Sequence, residues 1–350
     1  MDNSSQRKIL RVRPACELPQ LARDITAALA GNGPTLGFGE VGSESGPSQA
    51  AVVIGTSGTT GTPKEIFLSS HALISSARAS NAFIGAKPGD TWSLLLPLTH
   101  VAAVNVFVRA FELGTIPVDL RNHSGEYPRV NFTAIVPTQL FRALNGDDHL
   151  LKHLQGAQRV LVGGAALSSG IRNQASAAGI NVVTTYGMSE TSGGCVYNGE
   201  VLEGTEVEVR GGSIFVRGNV LALNLDLSDG WFATSDLGEF VDEKLVVIGR
   251  SDDVIISGGE NLSLNNVESV LNESFPTIQC AAFSVDDPQW GQSLHIAVVG
   301  DVDTISITSV LERKIGAFAK PKGIHPVNSL PLLGIGKVDR KRLAQEIPNE

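Results

Sequence analysis

Residues 55–64 read Gly-Thr-Ser-Gly-Thr-Thr-Gly-Thr-Pro-Lys, the most biased stretch of the chain. Gly55, Gly58 and Gly61 alternate with small hydroxyl residues, and the run ends on Pro63 and Lys64. Glycines let a backbone turn sharply and present bare N–H groups. The hydroxyls of Thr56, Ser57, Thr59 and Thr60 add donors, and Lys64 adds a positive point charge. This is the chemistry of a loop that holds phosphate. The apolar run at 50–54 before it reads as a strand end, a flank that a flexible Gly/Ser/Thr linker lacks. The Gly-x-x-x-x-Gly-Lys-[Ser/Thr] loop of nucleoside triphosphatases does not match, because Gly61 is followed by Thr62 and Lys64 by Glu65. The loop by itself defines a phosphate binder and no reaction.

Other residues with chemical potential are dispersed. Tyr186-Gly187-Met188-Ser189-Glu190 follows a strand-like run, and Asp236, Arg250 with Asp252, and Lys337 each sit in a turn-rich segment. Alone, Asp236 reads as a turn residue, Tyr186 as a core aromatic and Lys337 as an exposed lysine in a glycine-containing run. His100 is an isolated histidine, commonly structural. Arg109 is the one charge on an apolar helix at 101–111. By itself it reads as a snorkelling surface residue. His149 and His153 are four apart, but no third ligand is evident and no Glu adjoins His149, so they read as a solvated helix face and not a metal pair.

Composition narrows the class. The chain has 350 residues, 42% hydrophobic and 18% charged, enough for two domains and a large core. A net charge of −9 argues against a general nucleic-acid surface. Cys16, Cys195 and Cys280 are far apart and form no Cys-x-x-Cys pair, so neither a disulfide framework nor a zinc knot is implied. No apolar run approaches the ~20 residues of a membrane span, and the N-terminus lacks the pattern of a signal peptide. The expectation is a reduced, cytoplasmic, soluble protein.

The elements that must position these residues alternate. Helices are expected at 18–29, 69–84, 101–111, 138–144 and 168–178, and strands at 51–54, 92–96, 115–118, 134–136, 160–162 and 182–185. Strand–helix alternation with loops at strand ends indicates an α/β domain, whose ligands gather at the C-terminal ends of strands. Residues 1–49 read as peripheral, with 31–46 a loop. From about 196 the texture becomes β-rich, with short strands at 207–210, 213–217 and 244–248. After a break at 249–253 come helices at 267–271 and 306–318 and strands at 281–285, 294–299 and 323–327, a separate α+β module.

In series, the segments at 56–64, 186–190, 235–236, 249–253 and 336–340 resemble the ordered core motifs of the adenylate-forming acyl-CoA synthetases. The resemblance covers roughly residues 50–343. It implies a large N-terminal α/β domain with mixed sheets (1–249, its β-rich subdomain about 196–249), and a small mobile C-terminal α+β domain (250–350) with its hinge near 250–253. Tyr186 through Tyr197, His100 with Arg109 beyond it, and the short length are similar to the 2-succinylbenzoate–CoA ligase group of menaquinone biosynthesis, in the compact form seen in actinobacteria. The N-terminus departs from the family's pattern. Typical members carry a much longer segment before the loop, so the walls of the acyl pocket are expected to differ.

The resemblance implies a carboxylate that attacks the α-phosphorus of ATP, giving an acyl-adenylate and pyrophosphate, after which coenzyme A displaces AMP. It assigns the ATP site to Thr56, Ser57, Gly58, Thr59, Thr60, Gly61, Lys64, Gly164, Ala165, Tyr186, Gly187, Met188, Ser189, Asp236 and Arg250. Glu190 is the expected Mg2+ ligand and a catalytic residue with His100 and Lys337. Arg109, His100 and Gly187 take the acyl substrate. Asp252 is the hinge, and Gly258, Gly259 and Glu260 face coenzyme A. Small molecules are the expected partners, with a homodimer left open. The rival readings are a ligase of the same superfamily for another acid, and a non-catalytic nucleotide-binding protein.

Overall fold

The computed structural model describes residues 6–56, 64–257, 259–275, 278–288, 290–301, 303–333 and 337–346. Ser57, Gly58, Thr59, Thr60, Gly61 and Gly258 lie outside the described residues, as do the side chains of Asp252 and Lys337. Five strands, β1 (Gln6–Arg11), β2 (Thr35–Phe38), β3 (Ser45–Pro47), β4 (Ala50–Thr56) and β5 (Lys64–Ser69), form one sheet in the order β3-β1-β2-β4-β5. Strands β1, β2 and β4 are parallel, and β3 and β5 join antiparallel at the edges. A parallel strand covered on both faces reads as an unbroken apolar run, and residues 50–54 of β4 are all buried. Helix α1 (Leu18–Leu29) packs Leu21, Ile25 and Ala28 into this core, where the helical spacing of the sequence expects it.

The described part of the segment expected to be peripheral, residues 6–49, is not peripheral. Leu36 and Phe38 are among the most buried side chains, and the expected loop at 31–46 contains β2 and part of β3. Four residues between Gly- and Pro-rich turns carry no period of their own. They become a strand because β1 and β4, distant in sequence, pair with both edges.

A second sheet runs β12-β11-β10-β9-β8-β6-β7, from β6 (Trp92–Leu94), β7 (Val118–Asp119), β8 (Phe132–Ile135), β9 (Arg159–Val162), β10 (Val182–Met188), β11 (Gly193–Tyr197) and β12 (Glu200–Val201). Helices α2 (Ser70–Ile84) and α3 (Val101–Glu112) share one apolar core with both sheets. Helices α4 (Pro137–Leu144), α5 (Asp148–Gly156) and α6 (Ser169–Ala177) cover the opposite face of the second sheet. The Ser69 side chain caps α2 by accepting from the Ala72 N–H at 3.0 Å, a contact that stabilises by about 1 kcal/mol.

The β-rich segment is an antiparallel meander of β13 (Thr205–Arg210), β14 (Ser213–Gly218), β15 (Phe232–Val241) and β16 (Lys244–Arg250). Beyond it, β17 (Val254–Ser257), β18 (Glu260–Ser263), β19 (Gln279–Asp287), β20 (Gly291–Val299) and β21 (Gly323–Pro326) form a sheet with α7 (Leu264–Ser274) and α8 (Thr304–Lys314). These elements enclose a core of their own, including Ile255, Val267, Leu271, Ile296 and Leu311. Strands β22 (Leu332–Leu333) and β23 (Lys337–Val338) and helix α9 (Arg340–Glu346) follow. Helix α8 stops before the expected 318, because Gly316 takes φ +139°.

The expected solvated face of α5 holds for His149 only; His153 is 5% exposed. Its Nε2 lies 3.0 Å from Ser93 Oγ and its Nδ1 3.1 Å from the Pro128 carbonyl. Burial lowers its pKa, against the pull of the Pro128 carbonyl. The folded state therefore favours neutral imidazole, while the unfolded chain titrates near the ordinary histidine value of about 6.5. Stability is fully present above that pH and drains as pH falls through it. Urea midpoints should drop between pH 7.5 and 5.5, endpoints that bracket this roughly 6.5 transition, and His153→Gln should make the drop shallower. Parallel pH profiles for the two proteins would refute the assignment.

Candidate active site

Thr56 ends β4 and Lys64 begins β5, and the two residues pair across these antiparallel strands. The Thr56 hydroxyl donates to the Lys64 carbonyl at 3.0 Å, fixing the two stems. Lys64 Nζ reaches Glu190 Oε1 at 3.5 Å. A segment from the β-rich region holds the two groups in register. Asn224 Nδ2 donates to the Glu65 carbonyl at 2.7 Å, the Phe67 N–H donates to Asn224 Oδ1 at 3.0 Å, and the Ala222 N–H donates to the Glu190 carbonyl at 2.9 Å. The Glu65 carboxylate accepts from the Gly42 and Ser43 N–H groups at 2.6 and 2.9 Å. Burial pushes its pKa up, but these hydrogen bonds outweigh burial and hold it below the ordinary range.

Glu190 stands on a short 3-10 turn, Ser189–Thr191, that follows β10 directly. Four residues earlier, the Tyr186 hydroxyl donates to Asp236 Oδ2 at 2.9 Å. Asp236 lies on β15 opposite Arg250 of β16, whose Nη1 is 3.4 Å from Asp236 Oδ1. Burial, then the neighbouring Asp236 charge, push the Tyr186 hydroxyl well above the ordinary phenol range, so it stays a donor. Gly163 closes β9 beside this group. A Cβ there would meet Thr185 Oγ1 at 2.1 Å, so only glycine fits. Gly164, at φ +84°, and Ala165 follow on an exposed turn.

The β10–β11 contact is equally tight. A Cβ on Gly187 would sit 2.0 Å from the Gly193 carbonyl oxygen, and one on Gly193 would sit 1.9 Å from Asn105 Nδ2. Ser192, at φ 52°, makes the turn between Glu190 and Gly193, and Asn105 Nδ2 donates to its carbonyl at 2.8 Å. Met188 and Ser189 enter this turn, where the Met188 N–H donates to Thr191 Oγ1 at 3.0 Å. His100 is the residue before α3, with its Nδ1 2.7 Å from Thr99 Oγ1. Near this corner a cleft of about 250 Å³ is lined by Val12, Pro14, Gly39, Glu40, Leu98 and Thr99.

Arg109 departs from the expected surface residue: it is 4% exposed. Its Nη2 donates to Tyr197 Oη at 2.9 Å, which lies 2.8 Å from Ser80 Oγ, and its Cζ is 5.2 Å from the Trp92 ring centroid. Its Nε is buried without a hydrogen-bond partner. Among the described residues, no carboxylate lies within ion-pair distance of it. The apolar flanks of α3 hide this charge from a reading of the helix alone, since its partners come from α2, β6 and β11.

The structure thus gathers Lys64, Tyr186, Glu190, Asp236 and Arg250 around the C-terminal end of β10, where α/β folds collect ligands. Gly259 and Glu260 lie apart from them, exposed at the β17–β18 turn. Asn105, Asn224 and Tyr197 were not among the sequence candidates. The glycines at 193–194 are the one local signal that something approaches closely there.

Residues 10–218 match the AMP-binding enzyme family, and residues 266–337 match the AMP-binding enzyme C-terminal domain. The chain belongs to the AMP-binding enzyme family. A probable 2-succinylbenzoate–CoA ligase of Mycobacterium tuberculosis is 38% identical over 329 residues, 86% of this chain and 85% of that protein. The 2-succinylbenzoate–CoA ligase of Listeria monocytogenes is 29% identical over 332 residues, 85% of this chain and 70% of that protein. The fold is that of the o-succinylbenzoate CoA synthetase MenE of Bacillus subtilis, solved in complex with the acyl-adenylate intermediate OSB-AMP. That structure aligns with a TM-score of 0.74 and 22% identity over 96% of this chain and 82% of that one.

The Gly187 contact predicts a steep cost. Gly187→Ala drives a Cβ into backbone that cannot rotate away, an overpacking expected to destabilise by ~1–3 kcal/mol or more. Ser189→Ala, with no such clash, should stay within about 0.5 kcal/mol. Denaturant midpoints of the two variants check this.

Proposed function

We propose that this chain joins 2-succinylbenzoate to coenzyme A at the expense of ATP, through an acyl-adenylate, with release of AMP and pyrophosphate. The observation that carries the substrate choice is Arg109, a buried guanidinium with donor capacity to spare and, among the described residues, no carboxylate beside it. 2-Succinylbenzoate bears two carboxylates. The succinyl one reacts, and the aromatic one stays charged and needs a partner, for which a planar guanidinium is suited. His100 and Gly187 complete the acyl side of the site.

The remaining roles follow from where charge accumulates. A carboxylate must approach a polyanionic triphosphate, so donors and cations must offset the phosphates. Thr56, the loop at 57–61 and Lys64 hold the β- and γ-phosphates. The Gly164–Ala165 turn and residues 186–189 line the adenine side. A carboxylate offers about four acceptor positions, so Asp236 can accept from ribose hydroxyls while it keeps Tyr186 and Arg250. Glu190 presents a carboxylate oxygen at the mouth of the site against a long ion pair to Lys64, a donor set that fits a hard divalent cation. Glu190 would hold Mg2+, which supplies charge neutralisation to the phosphates when bound.

Residues 1–249 and 250–350 act as two domains that pivot at Asp252, within 250–253. Closure brings Lys337 to the developing charge during adenylation, and the segment at 258–260 then faces coenzyme A during thioester formation. Such motions concentrate backbone change at a few residues. The enzyme works in the cytoplasm.

ATP–pyrophosphate exchange that depends on added 2-succinylbenzoate tests the assignment directly; its absence with a panel of acids would sink it. Lys337→Ala should slow that exchange by ~100-fold or more, while thioester formation from supplied acyl-adenylate persists. Equal loss in both half-reactions would show that the lysine serves neither half in particular. Arg109→Ala should raise KM for 2-succinylbenzoate by ~10- to 100-fold, the scale of one charged hydrogen bond. A mono-acid analogue lacking the aromatic carboxylate should be affected far less, and an equal effect on both acids would remove the role.

A further inference from the structure

The C-terminal module contains a half-buried ionic cluster to which the reaction above assigns no role. Arg340 opens α9, three residues after Lys337. Its Nη1 donates to Asp253 Oδ1 at 3.1 Å, and its Nη2 donates to Asn265 Oδ1 and Glu268 Oε1, both at 2.9 Å. Its Nε donates to the Ala282 carbonyl at 2.9 Å. The partners are themselves tied together. Asn265 Nδ2 donates to Asp253 Oδ2 at 3.1 Å, and the Ala282 N–H donates to Glu268 Oε1 at 2.8 Å. One side chain therefore joins four places: the residue after Asp252, helix α7, strand β19, and the junction between β23, which carries Lys337, and α9. The Asp339 N–H donates to the Pro331 carbonyl at 2.8 Å, and Leu343 is buried against Ala281, Phe283 and Ala297, so α9 is seated on the same sheet.

A guanidinium placed to satisfy four acceptors on three separate elements fixes orientation as well as contact, because its fork is planar and rigid. An ion cluster of this kind adds little stability over a well-packed apolar one, and geometric specificity is the better account of it. We propose that Arg340 is a positioning residue for adenylation: it locks the β23–α9 junction, and with it Lys337, to Asp253, so that rotation at the neighbouring hinge carries the lysine to the site without slack. The inference rests on the role given to Lys337 above. It adds that the lysine's placement is set from the hinge end of the module.

The test separates the half-reactions. Arg340→Lys keeps the charge and removes the fork, and Asp253→Asn keeps the shape and removes the charge. Each should slow ATP–pyrophosphate exchange by ~10- to 100-fold, the scale of a misplaced catalytic group. Thioester formation from supplied acyl-adenylate should stay within about twofold of the parent protein, and the double variant should be no worse than either single one. If Arg340→Lys does not fold, as judged by the loss of a thermal transition, Asp253→Asn carries the same expectation. Unchanged exchange, equal loss in both half-reactions, or additive losses in the double variant overturn the proposal. Lys337→Ala run alongside distinguishes the two ideas. If it leaves exchange intact, the lysine assignment fails and the positioning role with it. If it abolishes exchange while Arg340→Lys does not, the positioning role alone fails.

Discussion

The buried turn at Ser192 is the constraint on which the site depends. Its residue takes a left-handed conformation that a serine pays for in backbone strain, and four contacts hold it there. Asn105 of α3 and Ser76 of α2 both donate to its carbonyl, its hydroxyl donates to the Val220 carbonyl, and Thr191 Oγ1 donates to the Gly193 carbonyl. Two helices, the second sheet and the β14–β15 connection of the β-rich meander therefore meet at one residue. The turn aims Glu190 towards Lys64 and reverses the chain so that β11 can lie against β10. The glycines at 187 and 193 are the steric counterpart of that approach.

The charged groups divide by environment. Lys64, Glu190 and Arg250 remain partly exposed, where ion pairs contribute little to stability and can exchange partners with a ligand. Arg109 is enclosed by Trp92 and Tyr197, where a charge with no carboxylate beside it among the described residues is costly. Arg340 is matched on every side by its own module. These three settings suit the three tasks proposed above: meeting phosphate, selecting a carboxylate, and holding geometry.

Much of the scaffold was legible in the sequence because its signals are local. The spacing of Leu21, Ile25 and Leu29, the cap at Ser69 and the unbroken run at 50–54 each express a preference satisfied within one element. What was not legible depends on partners. Strand β2 is four residues with no period, and β15 is ten residues whose turn-like Ser235-Asp236-Leu237-Gly238 centre masks a strand. His153 looks like half of an exposed pair until β6 and Pro128 close over it.

The same division runs through the site. Residue types alone pointed to a loop suited to phosphate: three glycines, five hydroxyls and a lysine in ten positions. The order of the later motifs was legible for the same reason, since each is a short run with its own turn chemistry. Only the tertiary structure decided that Arg109 is a buried cation and not a snorkelling one. Only it decided that Tyr186, Asp236 and Arg250 form one hydrogen-bonded group, and that Arg340 reaches Asp253. Burial and charge pairing are properties of the space between elements. A helix with one arginine carries no record of what will be packed against it.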